Sequence, residues 1–243
     1  MKIKRLTISV DNYAQHLGDS HFLNEYHPTP AEENLPDWFK KLENGAQPRT
    51  AKTCRGLYDV MTVGYMVVWP FDVTITKDEN GKLFIKKTRD DDRGSLWHPH
   101  PQFQLGMYPD ANLSAQKHGI DKVGLPYKVK TPKGTSIMMV QPAYRPDLKT
   151  QVMPGIIDTD KFYTPLNVLY TIKDTDRDIH ISAGTPLAQI IPFLRTEWEI
   201  EYNAVDEKLD RITQENTDHI DRYYQKKLWT RKFYKRKVKD ERK

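Results

Sequence analysis

The sequence predicts a mainly β protein: an antiparallel β-barrel of the β-clip or jelly-roll type, with an irregular N-terminal arm and a C-terminal amphipathic helix. Three observations carry this. Short apolar or alternating runs recur nine or ten times along the middle of the chain, punctuated by Gly and by many of its 16 Pro. Nowhere do strand and helix patterns alternate as a parallel sheet with crossover helices would require. After Asn203 the spacing of apolar residues changes from two to three or four. The chain divides accordingly into residues 1–52 (strand and irregular arm), 53–203 (barrel) and 204–243 (helix and basic tail).

Taken in order, Ile3, Leu6, Ile8 and Val10 alternate well enough for an opening strand. Thr29-Pro30-Ala31-Glu32-Glu33 has the form of a helix start: a capping Thr, Pro at the first position and acids in the first turn. Leu35-Pro36-Asp37-Trp38-Phe39 repeats it, and Trp38 reads as a core or interface anchor. The β region is expected from about Thr53, with a short apolar element at Leu57–Met61 and a nearly continuous apolar strand over Gly64–Pro70. Phe71–Thr76 alternates, Asn80-Gly81 is a hairpin signal, and Lys82–Thr88 returns. Further strands are expected at Tyr127–Thr131, Thr135–Gln141, Thr164–Lys173 and Pro186–Phe193, with one more over Glu197–Tyr202. Beyond it, Leu209, Ile212, Asn216, Ile220, Tyr223, Tyr224 and Leu228 predict one long helix running into the tail, acids early and bases late as the helix dipole favours.

Composition narrows the function classes. The chain has 243 residues, 37% of them hydrophobic, and a mean hydropathy of -0.75. No run of about eighteen apolar residues exists, so no membrane span is expected. The opening MKIKRLTISVDNY has bases but no apolar stretch, so it does not read as a secretory signal. A single cysteine, Cys54, excludes an internal disulfide and fits a reducing compartment. A cytoplasmic or virion-associated protein, not a secreted one, is the expectation. The net charge of +5 is unevenly spread: Lys226–Lys243 holds ten bases and two acids, which leaves the body mildly acidic. In the tail Lys226, Lys227, Arg231, Lys232, Lys235, Arg236 and Lys237 interleave with Trp229 and Phe233. Bases among aromatics suit nucleic acid, by phosphate neutralisation and stacking, and suit an acidic protein surface equally.

The segment of greatest interest is Met153–Phe193. It opens on Pro154-Gly155-Ile156-Ile157-Asp158 and closes with Gly184-Thr185-Pro186-Leu187-Ala188-Gln189-Ile190. A carboxylate at the end of an apolar strand can hold a water as base. In motif order and spacing the stretch Tyr127–Phe193 resembles the trimeric dUTPase and dCTP deaminase superfamily, with Lys130-Thr131-Pro132-Lys133-Gly134-Thr135 similar to the family's preceding strand entry. Over most of its length the chain also resembles a family found in bacteria and tailed phages. The first resemblance implies a dUTPase-like barrel, a homotrimer, and Asp158 as the residue that orients an attacking water. It would place Gly155, Ile157, Phe162, Arg145 and Gln189 around a nucleotide, with Mg²⁺ as the cofactor if the chain is hydrolytic.

Departures from the family pattern are extensive. Phe162 matches the family's sugar-packing Tyr only if Lys161 is an insertion, and the metal-holding Asp has no counterpart. Gln141-Pro142-Ala143-Tyr144-Arg145-Pro146 replaces the Arg-Ser-Gly segment, and the basic tail replaces the Gly-rich closing arm. The deaminase Glu would fall near Leu169, which excludes deamination. The favoured reading is therefore a non-catalytic phage-type structural, assembly or binding protein on a degenerate barrel, with Asp158 a turn residue. A divergent nucleoside-triphosphate pyrophosphatase or nucleotide-binding regulator using Asp158 is the alternative, and a nucleic-acid-binding protein acting through the tail is a second. Separately, His98 and His100 in Trp97-His98-Pro99-His100-Pro101 lie on one side of an extended segment and form a candidate metal pair, with His118 as a third ligand; an ordinary interface loop is the competing reading.

Overall fold

The structure, a computed structural model, describes residues 6–12, 26–43, 50–81, 83–87, 97–100, 120–173, 177–220 and 222–235. Among the described residues thirteen strands form three antiparallel sheets. The first has the order β1 (Ser9–Asn12), β7 (Asp121–Lys130), β11 (Pro165–Ile172), β9 (Thr150–Val152). Strand β6 (Trp97–Pro99) also pairs with β7, so β7 serves β1 and β6 at its two ends and β11 along its length. The second sheet runs β10 (Gly155–Ile157), β8 (Thr135–Val140), β13 (Pro186–Leu194), β3 (Tyr65–Val68), β2 (Thr29–Pro30). The third is β12 (Ile179–Ile181), β4 (Val73–Lys77), β5 (Leu83–Lys87).

Alternation explains which side of each strand is inside. Val123, Leu125, Tyr127 and Val129 of β7 are buried, as are Leu166, Val168, Tyr170 and Ile172 of β11. They meet Ile137 and Met139 of β8 and Leu187 and Ile190 of β13 in one cluster that also takes in Val73, Ile75 and Ile181 of the third sheet. Trp69, only 1% exposed, sits at the join, its ring 5.3 Å from Tyr170 and 6.1 Å from Phe71. Burial of this kind stabilises by about 25 cal/mol per Å² of apolar surface, so the shared core holds the sheets together.

Four expectations change. No strand pairing joins the sheets into a closed barrel among the described residues. The chain passes from the first sheet to the second at Met153-Pro154, between β9 and β10, and Pro154 has no N–H with which to continue a ladder. Next, the apolar element at Leu57–Met61 is not a strand but part of a helix, α2 (Arg55–Thr62), which follows α1 (Asp37–Lys41). A short apolar run cannot be assigned by composition. Here Met61 and Thr62 turn inward while Val60 is 40% exposed, a helical rather than alternating pattern. Finally, the C-terminal helix is shorter than expected: α3 spans Glu207–His219, capped by Asp206 Oδ1 accepting from the Leu209 amide at 2.9 Å. A turn with Arg222 at φ 60° follows, then a π-helical turn at Tyr224–Leu228 and extended backbone. Glu197–Tyr202, expected as a strand, pairs with no strand among the described residues.

The junction between α2 and β3 requires glycine. Gly64 has φ +76°, and a Cβ there would lie 2.1 Å from the Ile190 carbonyl oxygen of β13. The expected Asn80-Gly81 hairpin is present between β4 and β5, with Gly81 at φ 75°.

Candidate functional site

Asp158 lies immediately after β10, in a tight turn whose carbonyl accepts from the Lys161 and Phe162 amides at 2.9 and 2.8 Å. Its carboxylate accepts from Ser136 Oγ of β8 at 2.6 Å, because Ile157 pairs with Ile137 and the next residue along falls beside Ser136. Arg195, one residue beyond β13, reaches the same group, with Nη1 3.1 Å from Asp158 Oδ1. The guanidinium also grips Asp160, Nη1 to Oδ1 at 2.9 Å and Nη2 to Oδ2 at 2.5 Å, and Asp160 accepts from the Gly134 amide at 2.8 Å. Asp160 is the better enclosed, at 3% side-chain exposure against 45% for Asp158.

These partners set the protonation states. The hydrogen bond from Ser136, helped by the Arg195 charge, holds the Asp158 carboxyl below the usual carboxylate range. The hydrogen bonds from Arg195 and the Gly134 amide bring Asp160 down to about 2. Arg195 is correspondingly pushed up by Asp160 first and Asp158 second. A carboxylate so stabilised is a weak base. The group also fits Mg²⁺ poorly, since a guanidinium already occupies the carboxylate oxygens a cation would take. Among the described residues no cluster of three or more His, Cys, Asp or Glu could hold a metal ion.

The nucleotide-binding candidates separate into two groups. Gly155, Ile157 and Phe162 stay with Asp158 on β10 and its turn, with Phe162 59% exposed. Gln189 and Arg145 lie elsewhere. Gln189 is in the same sheet as β10, on the other side of β8, but it pairs with Val140. Ser136 and Val140 are four positions apart, roughly 13 Å along a strand. Gln189 is 1% exposed, and its amide donates to the Val60 and Val63 carbonyls at 3.0 and 2.7 Å while its oxygen accepts from the Ala143 amide at 3.2 Å. It therefore ties β13 to the end of α2 and to the loop that carries Arg145. Arg145 is itself committed to Asp147, Nε to Oδ1 at 2.9 Å and Nη2 to Oδ2 at 2.7 Å, and to the Asn34 carbonyl at 3.2 Å. That pairing holds Asp147 below the usual range.

Beside Arg145 is a cleft of about 510 Å³ lined by Trp38, Pro142, Tyr144, Pro146 and Lys173. Trp38 donates its indole N–H to the Tyr144 carbonyl at 2.9 Å, and Tyr144 stands at φ 54°. Trp38 thus anchors a loop across 106 positions of sequence. The lining cation Lys173 is likewise engaged, its Nζ 2.7 Å from the Leu148 carbonyl.

His98 pairs with Lys122 in the β6–β7 register, and the His100 amide donates to the Ile120 carbonyl at 2.9 Å. Burial, then the nearby Lys122 charge, lowers the His100 imidazole pKa. His118, Arg236 and Lys237 lie outside the described residues.

The tail is used internally to a degree the sequence did not reveal. Trp229 donates its indole N–H to both Asp59 oxygens at 3.1 and 3.0 Å, Lys232 Nζ lies 2.6 Å from Asp59 Oδ2, and Arg231 Nη2 lies 2.7 Å from Glu32 Oε1. The Arg55 guanidinium stacks over Trp229 at 4.7 Å, and Tyr58, whose hydroxyl donates to Glu32 at 2.5 Å, is edge-on to the same ring. Burial and that acid push Tyr58 up to about 12. Lys226, Lys227, Phe233 and Lys235 remain exposed.

Reading of the sequence overlooked Arg195, Ser136, Asp160, Asp59 and Glu32. A local hint existed only for Asp160, in the doublet Asp158-Thr159-Asp160.

No helix among the described residues is long and apolar enough to cross a membrane. No family model matches the sequence, and no curated protein matches it. Among solved structures the chain is similar to the dUTPase of Staphylococcus bacteriophage 80alpha (11% identity, 83% of this chain and 97% of that one, TM-score 0.38). It is similar also to the dUTPase from phage phi11 of S. aureus (12%, 83% and 97%, TM-score 0.35). EIAV dUTPase is a third (12%, 59% and 87%, TM-score 0.32). All three likenesses combine low identity with low TM-scores.

Proposed function

We propose that this chain is a non-catalytic assembly or binding module of the phage type, a homotrimer built on a degenerate dUTPase-like scaffold, with residues 1–52 and 204–243 as docking extensions. A cytoplasmic or virion setting belongs to the same reading. The observation that supports it is the clamp on Asp158: Ser136 and Arg195 occupy the carboxylate and depress its pKa. A general base works best with a pKa near the operating pH, and this group is moved the other way. Gln189 and Arg145 have their hydrogen-bonding capacity absorbed by backbone groups and Asp147. The direct test is a panel of nucleoside triphosphates with Mg²⁺. No turnover above that of Asp158→Ala is expected. Turnover that Asp158→Ala abolishes would install the pyrophosphatase reading instead. Light scattering is expected to give the mass of three chains, and a monomer at micromolar concentration removes the trimer.

The nucleic-acid reading has less support, since Trp229, Arg231 and Lys232 are already partnered by Asp59 and Glu32. Salt-sensitive oligonucleotide binding that is lost on truncation after Gln225 would restore it.

A further inference from the structure

Around the start of α2 cations gather without acids. A cavity of about 380 Å³ opens there, walled by Phe39 and Tyr58 and lined by Lys52, Arg55, Arg222 and Gln225. Its volume falls within the span of small-ligand pockets, about 300–1,000 Å³. Lys52 comes from the 3₁₀ turn Ala51–Thr53, and Arg55 is the first residue of α2. Arg222 arrives from the turn after α3, and Gln225 from the π-helical turn beyond it. No Asp or Glu lines the cavity among the described residues.

Lys52 and Arg55 have neutral partners. Lys52 Nζ donates to the Lys40 carbonyl at 3.1 Å. Arg55 donates from Nε and Nη2 to the Gln225 amide oxygen, at 3.1 and 2.5 Å with that amide turned toward it, and lies over the Trp229 ring. The acids close by are engaged by others: Glu32 by Tyr58 and Arg231, Asp59 by Trp229 and Lys232. Arg231 and Lys232 are thus neutralised by carboxylates, while Lys52 and Arg55 keep their charge in a half-buried recess. A recess of one sign with low-dielectric walls concentrates its field on an entering anion. Arg carries five N–H donors and Lys three, so both retain donors after serving these neighbours.

We propose that this cavity binds a phosphate group, free or as a small phosphomonoester, with Lys52 and Arg55 as its principal ligands and Arg222 as a third cation. A dianion with several acceptor oxygens can be shared among three cations, whereas a single carboxylate is satisfied by one guanidinium fork. Gln225 acts as a positioning residue, holding the Arg55 guanidinium through two of its nitrogens. Phe39, 4% exposed, and Tyr58 supply an apolar wall beside which a compact organic group can lie. None of these residues belongs to the Asp158 clamp, so the site stands independently of any activity there.

Titration calorimetry on the full chain at constant ionic strength tests it, with inorganic phosphate and glycerol phosphate as separate probes. One saturable site is expected. Tighter binding of inorganic phosphate supports the free ion as occupant, and tighter binding of glycerol phosphate supports an ester. Hydrogen bonds to charged groups are strong enough that Lys52→Gln and Arg55→Gln should each weaken binding about tenfold or more. Arg55 also packs on Trp229, so Lys52→Gln, whose side chain meets only the Lys40 carbonyl, is the cleaner variant and should keep the thermal midpoint of the unaltered chain. Lys226, an exposed tail cation outside the cavity lining, is the control: Lys226→Gln should change affinity less than about twofold, because distant exposed charges are screened. Failure of the unaltered chain to bind either probe saturably overturns the proposal. So does full affinity in Lys52→Gln/Arg55→Gln, or an equal loss in Lys52→Gln and Lys226→Gln, which would mark diffuse attraction to a basic surface.

Discussion

Arg195 Nη2 lies 2.5 Å from Asp160 Oδ2, joining the end of β13 to the turn after β10 across 35 positions of sequence. The same guanidinium reaches Asp158 at 3.1 Å. What resembles an active-site acid is therefore one leg of a three-residue clamp.

The clamp makes acid sensitivity testable. The folded-state pKa of Asp160, about 2, lies below its ordinary 3.8, so the stability it confers is full above pH 3.8 and is lost as pH falls toward 2. Asp158 moves in the same direction. Denaturation of the unaltered chain and of Asp160→Asn should show the variant less stable at pH 7, with the gap narrowing between pH 4 and 2. A gap independent of pH would mean that the charge pairing contributes nothing.

Gln189 predicts a purely structural loss. Replacement by Leu leaves the Val60 and Val63 carbonyls and the Ala143 amide without their present partner. An unsatisfied buried polar group costs about 1–3 kcal/mol, so a net loss of roughly 2–3 kcal/mol is expected by urea denaturation. Unchanged stability would indicate that the amide is held for a ligand.

At Gly64 both conformation and space forbid a side chain. Ala would carry φ +76° and drive its Cβ into the Ile190 carbonyl. Left-handed backbone alone costs about 1–2 kcal/mol for a non-glycine residue, and with the clash roughly 3 kcal/mol is expected from the shift in denaturation midpoint.

The docked tail hinges on Asp59, which holds Trp229 and Lys232 together. Asp59→Ala should release residues 229–235, seen as faster trypsin cleavage at Arg231 and Lys232 and a red shift of tryptophan emission. Added salt should act in the same direction on the unaltered chain, because exposed ion pairs are screened.

Tyr58 gives the opposite pH sign. Its pKa is raised from 10.0 to about 12, so its contribution is complete below pH 10 and disappears as pH rises through 12. The loosening of the tail should follow that window, and Tyr58→Phe should remove the pH dependence.

Much of the β structure was legible because strand grammar is local. The strands expected at Tyr127–Thr131 and Thr164–Lys173 overlap the end of β7 and the whole of β11, and Asn80-Gly81 sets the β4–β5 hairpin. The carboxylate at Asp158 and the buried amide at Gln189 were also visible; Gln189 is in the second sheet and Asp158 directly follows one of its strands. Leu57–Met61 went astray because a short apolar run carries no period of its own. Glu197–Tyr202 has a strand's pattern without a strand partner among the described residues, and pattern alone cannot supply one.

By itself the sequence determined residue periodicity, turn positions and the uneven distribution of charge, all set by neighbours within a few positions. Only the tertiary structure decided that Arg195 neutralises Asp158 and Asp160, that Gln189 is spent on backbone groups, and that Trp229, Arg231 and Lys232 turn back onto Glu32 and Asp59. The physical reason is that a charge or an amide acquires its role from whichever group folding brings within about 3 Å, and such partners stand far away in sequence.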